Sequence, residues 1–242
     1  MERYNSGISN LGNTCFMNAA VQSLFGVAIE LIDEFLELQN VQPGLLHEFI
    51  EVAKELFDGR KKVINISKLK KEAGKQVAAY EGFEQQDSLE FLNHLIQWLD
   101  EDDLTGSKVS DTFYGQYNNS ICCSHCDFVR SSCEKFMDVF VELPAKNVCD
   151  LSDCLATVFK DDELTDWKCP KCVMHRDAIK KKSIKKLPKV VIMQLDRLQG
   201  EFDGVTYVIK KNTALVNYPL KDLTFNLFME EEAVENSRYD LY

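Results

Sequence analysis

The amino-acid sequence predicts an α+β fold, and three observations carry that reading. Apolar residues recur at helical spacing from Phe16 to Leu99, strand-like runs follow from Phe113, and an acidic, glycine-bearing stretch, Glu101 to Lys108, parts the two. At 242 residues there is room for one large domain or two small ones. Hydrophobic content of 45% with 28% charged residues is that of a soluble globular chain. The formal net charge of −11 disfavours nucleic-acid and anionic-membrane partners. Met1 to Asn5 has no apolar signal-peptide core, and no apolar run is long enough to span a bilayer. Nine cysteines without a secretory signal suggest an intracellular compartment, cytoplasm or nucleus, where metal binding or catalysis explains them better than disulfides.

Taken in order, a polar turn (Gly7, Asn10, Gly12, Asn13, Thr14) runs straight into Cys15. Phe16 to Gln22 is then a good helix former, with no glycine or proline before Gly26. Cys15 therefore sits at or just inside a helix N-terminus, where unpaired amides and the dipole stabilise a thiolate. That makes it a candidate nucleophile, although a buried structural thiol fits the same residues. Gly26 to Asn40 continues at mostly helical spacing. After the Pro43-Gly44 turn comes an amphipathic helix with Leu46, Phe49, Ile50, Ala53 and Leu56, stopped by Gly59. Ser67 is expected to cap a short helix through Ala79. From Asp87, residues Phe91, Leu92, Leu95, Ile96 and Leu99 share a helix face, which puts Asp87 in a first turn where a carboxylate is favoured. His47 and His94 read as surface and packing histidines.

In the second half, Cys123-Ser124-His125-Cys126 and Cys169-Pro170-Lys171-Cys172 form two CxxC pairs on strand-like flanks. Each two-residue spacer brings a pair of sulfurs to one ion, so Cys123, Cys126, Cys169 and Cys172 suit tetrahedral zinc. Cys122 and His125 are the competing ligands, and spacing favours Cys123. Between the pairs lie a strand (Phe136 to Leu143) and a capped helix (Ser152 to Phe159). The lysines between Lys180 and Lys186 read as the solvated face of a strand, and Cys133, Cys149 and Cys154 as packing residues. Val190 to Leu198 is expected to be a strand buried on both faces, followed by strands at Val205 to Ile209 and Ala214 to Tyr218.

The run Asn10 to Asn18, closing with Gln22, resembles the Cys box of the ubiquitin-specific proteases, papain-like cysteine deubiquitinases. Gln85-Gln86-Asp87 with Glu90-Phe91-Leu92 resembles that family's second signature, and Leu195-Asp196-Arg197-Leu198 a third, with Leu198 where the family has phenylalanine. The resemblance implies a fold of helical thumb (1–105), palm (106–120), zinc-binding fingers (121–187) and partial palm (188–242), forming one catalytic domain. It also implies Cys15 as nucleophile and Asn10 as oxyanion donor. Gln85 and Asp87 would contact the ubiquitin tail, Asp87 through an arginine, and one structural zinc would sit in the fingers. Ubiquitin and ubiquitinated proteins are the implied partners.

Tyr239 to Tyr242 is similar to the start of the strand that leads to the family's His box, and no Gly-His-Tyr motif follows it. Papain-like chemistry needs an imidazole, so the chain is expected to be inactive as it stands. Three readings result: part of an active deubiquitinase, a catalytically dead ubiquitin-binding protein of the same fold, or a zinc-ribbon scaffold. The intact Cys box and Asp87 segment favour the first.

Overall fold

The computed structural model describes residues 6–102, 104–202, 204, 206–230 and 238–241. Met1 to Asn5, Val205 and Tyr242, on which the sequence reading touched, lie outside the described residues. The chain forms two compact units, Met1–Phe113 and Tyr114–Tyr242.

The first unit is helical: β1 (Gly7–Ile8), α1 (Cys15–Val27), α2 (Ile29–Glu37), α3 (Leu45–Asp58), β2 (Val63–Ile64), α4 (Ser67–Gln76), α5 (Ser88–Glu101) and α6 (Lys108–Phe113). A 3-10 turn at Ala78–Tyr80 joins α4 to the loop before α5. The apolar spacing of α1 and α3 puts Phe25 and Phe49 face to face, with ring centroids 4.9 Å apart, and Phe35 edge-on to Phe49. Gly59 closes α3 in the left-handed region at φ 65°, as its position in the sequence implied. β1 pairs in parallel with β2 and fixes the approach to α1. Among the described residues no single helix is long and apolar enough to cross a membrane. Only α1 and α2 together qualify, bent by 92°, and their apolar side chains are largely buried.

Several local expectations need correction. The first unit ends after α6, not within the acidic link, because Val109 and Phe113 are fully buried. Ser67 does not cap α4: it is the first helical residue, and Asn65 Oδ1 accepts its amide at 2.8 Å. Asp87 sits one residue earlier than a first-turn carboxylate, as the N-cap of α5.

The second unit comprises β3 (Gly115–Cys123), β4 (Val129–Phe136), β5 (Asp138–Glu142), β6 (Val148–Asp150), α7 (Leu151–Val158), β7 (Asp162–Lys168), β8 (His175–Lys186), β9 (Ile192–Asp196), β10 (Leu198–Phe202), β11 (Tyr207–Lys211), β12 (Leu215–Asn217), β13 (Leu223–Thr224) and β14 (Arg238–Tyr239). An antiparallel sheet runs in the order β4-β3-β8-β7. β5 pairs in parallel with β9, β6 in parallel with β12, and β10-β11 and β13-β14 are antiparallel pairs. Its core gathers Tyr117, Val139, Val141, Leu155, Ile184 and Phe225. A side chain at Gly115 would overlap the Phe136 ring, so only glycine lets β3 begin there.

Here too the structure departs from expectation. The Val190 to Leu198 run is half-buried along β9 and not covered on both faces; among the described residues its strand pairs with β5. Its Arg197 binds backbone, donating through Nη1 to the Asn212 and Ala214 carbonyls. The helix expected from Ser152 starts at Leu151 without a side-chain cap. Cys149 and Cys154 are buried as expected, but Cys133 is exposed and accepts from Lys185 Nζ at 3.3 Å.

Candidate active site and metal centre

Cys15 is the first residue of α1 and is exposed. Thr14 occupies the N-cap without a side-chain cap bond, and the first turn holds no acidic residue. The helix N-terminus therefore presents, beside the thiol, amides that the helix itself does not pair. The preceding turn is closed by Asn10. Its Oδ1 accepts from the amides of Gly12 and Thr14, each at 3.1 Å, and from the Thr14 hydroxyl at 3.3 Å. Thr14 Oγ1 in turn accepts from the Leu11 amide at 3.0 Å. With the carbonyl end of the exposed Asn10 side chain so anchored, its Nδ2 is a held donor in the turn that runs into Cys15. Asn18 ties the helix to β1 through Nδ2 and the Ile8 and Ser9 carbonyls.

The Gln85–Asp87 segment is brought to this turn. Asn13 Nδ2 donates to the Phe83 carbonyl at 2.9 Å, and Gly12, at φ 97°, lies against the Phe83 ring. A Cβ at Gly12 would come 2.9 Å from Phe83 Cδ1, so both the dihedral and the contact require glycine. Behind the surface, Phe16 packs edge-on to Phe91 at 5.6 Å and against Tyr80 at 5.8 Å, locking α1 to α5. Asp87 Oδ1 accepts from the amides of Leu89 at 2.7 Å and Glu90 at 3.0 Å, and its second carboxylate oxygen makes no hydrogen bond among the described residues. Gln85 and Asp87 are both exposed. The loop that leads to Gln85 and Asp87 is thus joined at Phe83 to the turn that carries Asn10 and runs into Cys15.

The two histidines of that unit are engaged elsewhere. His47 Nδ1 lies 3.3 Å from Glu48 Oε1. His94 Nδ1 meets the Tyr80 hydroxyl at 2.8 Å and stacks on Trp98. Burial, then the Glu90 and Asp87 carboxylates, push the Tyr80 phenol up to about 12, so it stays neutral in that bond.

In the second unit the two CxxC segments fold as matching knuckles. The Cys123 amide donates to the Phe128 carbonyl at 3.0 Å, and the Cys169 amide to the Met174 carbonyl at 3.0 Å. The four sulfurs of Cys123, Cys126, Cys169 and Cys172 all lie within 4.8 Å of one another. Cys123 and Cys172 sulfurs are 4.0 Å apart, those of Cys126 and Cys169 3.8 Å. With Zn–S bonds of about 2.3 Å, a tetrahedron has edges of about 3.8 Å, so the set fits a thiolate-bound divalent ion. Cys122 alternates to the other side of β3, and the choice of Cys123 over Cys122 and His125 agrees with this geometry. The His125 amide, then burial working against it, set the Cys123 thiol at about 7. The neighbouring Cys126 thiol and burial push Cys172 up to about 12. Crowded thiols cannot all ionise unaided, and a cation removes that conflict.

The family model "Ubiquitin carboxyl-terminal hydrolase" matches residues 6–242. The chain is 28% identical over 284 residues to ubiquitin carboxyl-terminal hydrolase 2 of Bos taurus, covering 98% of this chain and 46% of that protein. It is 26% identical to ubiquitin carboxyl-terminal hydrolase 3 of Homo sapiens, with 98% and 57% covered. The chain thus spans about half the length of these relatives. A solved structure, the "SAGA Ubp8/Sgf11/Sus1/Sgf73 DUB module bound to ubiquitin aldehyde", superposes with a TM-score of 0.76 at 24% identity, over 98% of this chain and 57% of that one. That likeness bears out the α+β, papain-like fold expected from the sequence. The chain belongs to the ubiquitin carboxyl-terminal hydrolase family, in its ubiquitin-specific protease branch.

Proposed function

We propose that the chain carries the nucleophile-bearing portion of a cysteine deubiquitinase that cleaves the bond after ubiquitin's C-terminal glycine. The observation that carries this reading is the exposed Cys15 at an uncapped helix N-terminus, beside an Asn10 anchored through its carbonyl end. Cys15 Sγ attacks the scissile carbonyl, and the oxyanion that forms is met by Asn10 Nδ2 and the positive end of α1. Asp87 receives a tail arginine on its free oxygen, and Gln85 binds the tail beside it. The four cysteine sulfurs hold one structural zinc, which supports the sheet and takes no part in the reaction.

The four histidines do not supply the general acid. His47 and His94 pair with Glu48 and Tyr80, while His125 and His175 flank the knuckles. On this reading the 242 residues bind ubiquitin and present the thiol but do not turn over an amide. The free thiols support a reducing, intracellular setting.

Titration with ubiquitin tests the assignment of Asp87. Asp87→Ala removes both cap and charge, and losing the cap costs about 1 kcal/mol of stability. Asp87→Asn keeps a capping oxygen and removes the charge. Truncating one partner of a desolvated interface ion pair costs about 2–5 kcal/mol of binding. Both variants should therefore bind ubiquitin at least tenfold more weakly, while only Asp87→Ala melts early. Equal binding by wild type and Asp87→Asn would refute the arginine pairing.

A further inference from the structure

The loop that bears Gln85 and Asp87 is joined to the Cys15 turn by the Asn13 and Gly12 contacts on Phe83, and a third contact reaches it from α4. Lys70 Nζ donates to the carbonyls of Glu81 at 2.6 Å and Gly82 at 2.8 Å. The same ammonium stands 5.3 Å from the centroid of the Phe83 ring. α4 and this loop touch closely: a Cβ on Gly74 would come 3.2 Å from Glu81 Cα. At the far end of the loop, Gln86 Nε2 donates to the Ala79 carbonyl at 3.3 Å.

Carbonyls of an exposed loop are ordinarily satisfied by water, which leaves the loop free to move. An ammonium bridging two of them by charge-assisted bonds fixes their direction, and with it the ring that lies on Gly12. α4 itself does not depend on Lys70, because it is anchored by fully buried Leu69 and Ala73. We infer that Lys70 is a positioning residue for ubiquitin-tail binding: it holds the Gln85–Asp87 loop in register with the Cys15–Asn10 turn. This rests on the deubiquitinase reading above.

The test compares wild type, Lys70→Ala, Lys70→Gln and Lys70→Arg in the 242-residue chain. Three quantities are read: thermal midpoint, amide hydrogen exchange across residues 81–86, and affinity for ubiquitin. Lys70→Ala should exchange faster across that loop and bind ubiquitin roughly tenfold more weakly, at an unchanged midpoint. Lys70→Arg, which can still donate to both carbonyls, should restore both readouts. If Lys70→Ala melts early, Lys70→Gln carries the comparison. Wild-type binding matched by Lys70→Ala and Lys70→Gln, with unaltered exchange, would overturn the role of Lys70 alone. A wild-type chain that binds no ubiquitin would overturn the deubiquitinase reading and this inference with it.

Discussion

Removing the zinc proposed for the four-cysteine cluster is expected to unfold the sheet of β3, β4, β7 and β8. That sheet has little apolar burial at its knuckle end: β4 is exposed along its length except at Phe136, and β7 is mostly exposed. Its outer half buries little apolar surface, and beyond the β3-β8 backbone ladder the four sulfurs join the end of β3 to the β7-β8 turn. A structural zinc contributes apparent binding energy of about 10–16 kcal/mol, comparable with the whole net stability of a domain. Elemental analysis should find about one zinc per chain. Chelation should collapse exchange protection in β3 and β8, and Cys169→Ser should do the same, because Cys169 is fully buried within the cluster. Cys122→Ser, off the cluster, should change little. A metal-free chain with an unaltered melting curve would contradict the assignment.

The second large effect is on turnover. The 242-residue chain is expected to leave a fluorogenic ubiquitin C-terminal amide uncleaved. Attack by Cys15 gives a tetrahedral intermediate, and unless an acid protonates the departing amine it collapses backward. An oxyanion donor such as Asn10 lowers the barrier but cannot deliver that proton. Where the same residues are joined to a segment carrying a histidine and its orienting carboxylate or amide, the substrate should be cleaved. There Cys15→Ala should abolish turnover, and Asn10→Ala should lower kcat by about a hundred- to a thousandfold. Robust Cys15-dependent cleavage by the 242 residues alone would show that one of the four histidines acts after all. No cleavage by the joined form would favour a catalytically dead ubiquitin-binding protein.

What the sequence disclosed was chemistry that lies in contiguous residues. The turn into Cys15, the helix after Asp87 and the two CxxC pairs are each local, so propensity, capping and spacing were enough to find them. It misplaced features settled by partners. Asp87 proved to be the cap itself, and Ser67 lost that role because Asn65 reaches its amide first. β9 looked fully buried because an apolar run carries no record of how many strands flank it. Lys70 was invisible for a plainer reason: its partners are the carbonyls of Glu81 and Gly82, which every residue possesses. The joining of two loops onto one face is a tertiary fact, and no spacing rule encodes it.

Covalent capture by a ubiquitin probe tests whether Cys15 is a ubiquitin-directed nucleophile. Ubiquitin carrying a C-terminal Michael acceptor requires a thiolate at the tail site but no protonated leaving group, so capture does not depend on a general acid. The chain, incubated with this probe at mildly alkaline pH, is digested and the modified peptide identified by mass spectrometry. A single adduct at Cys15, absent in Cys15→Ala and suppressed by excess free ubiquitin, is expected. No adduct, or one spread over Cys122 and Cys133 and indifferent to competing ubiquitin, would contradict it.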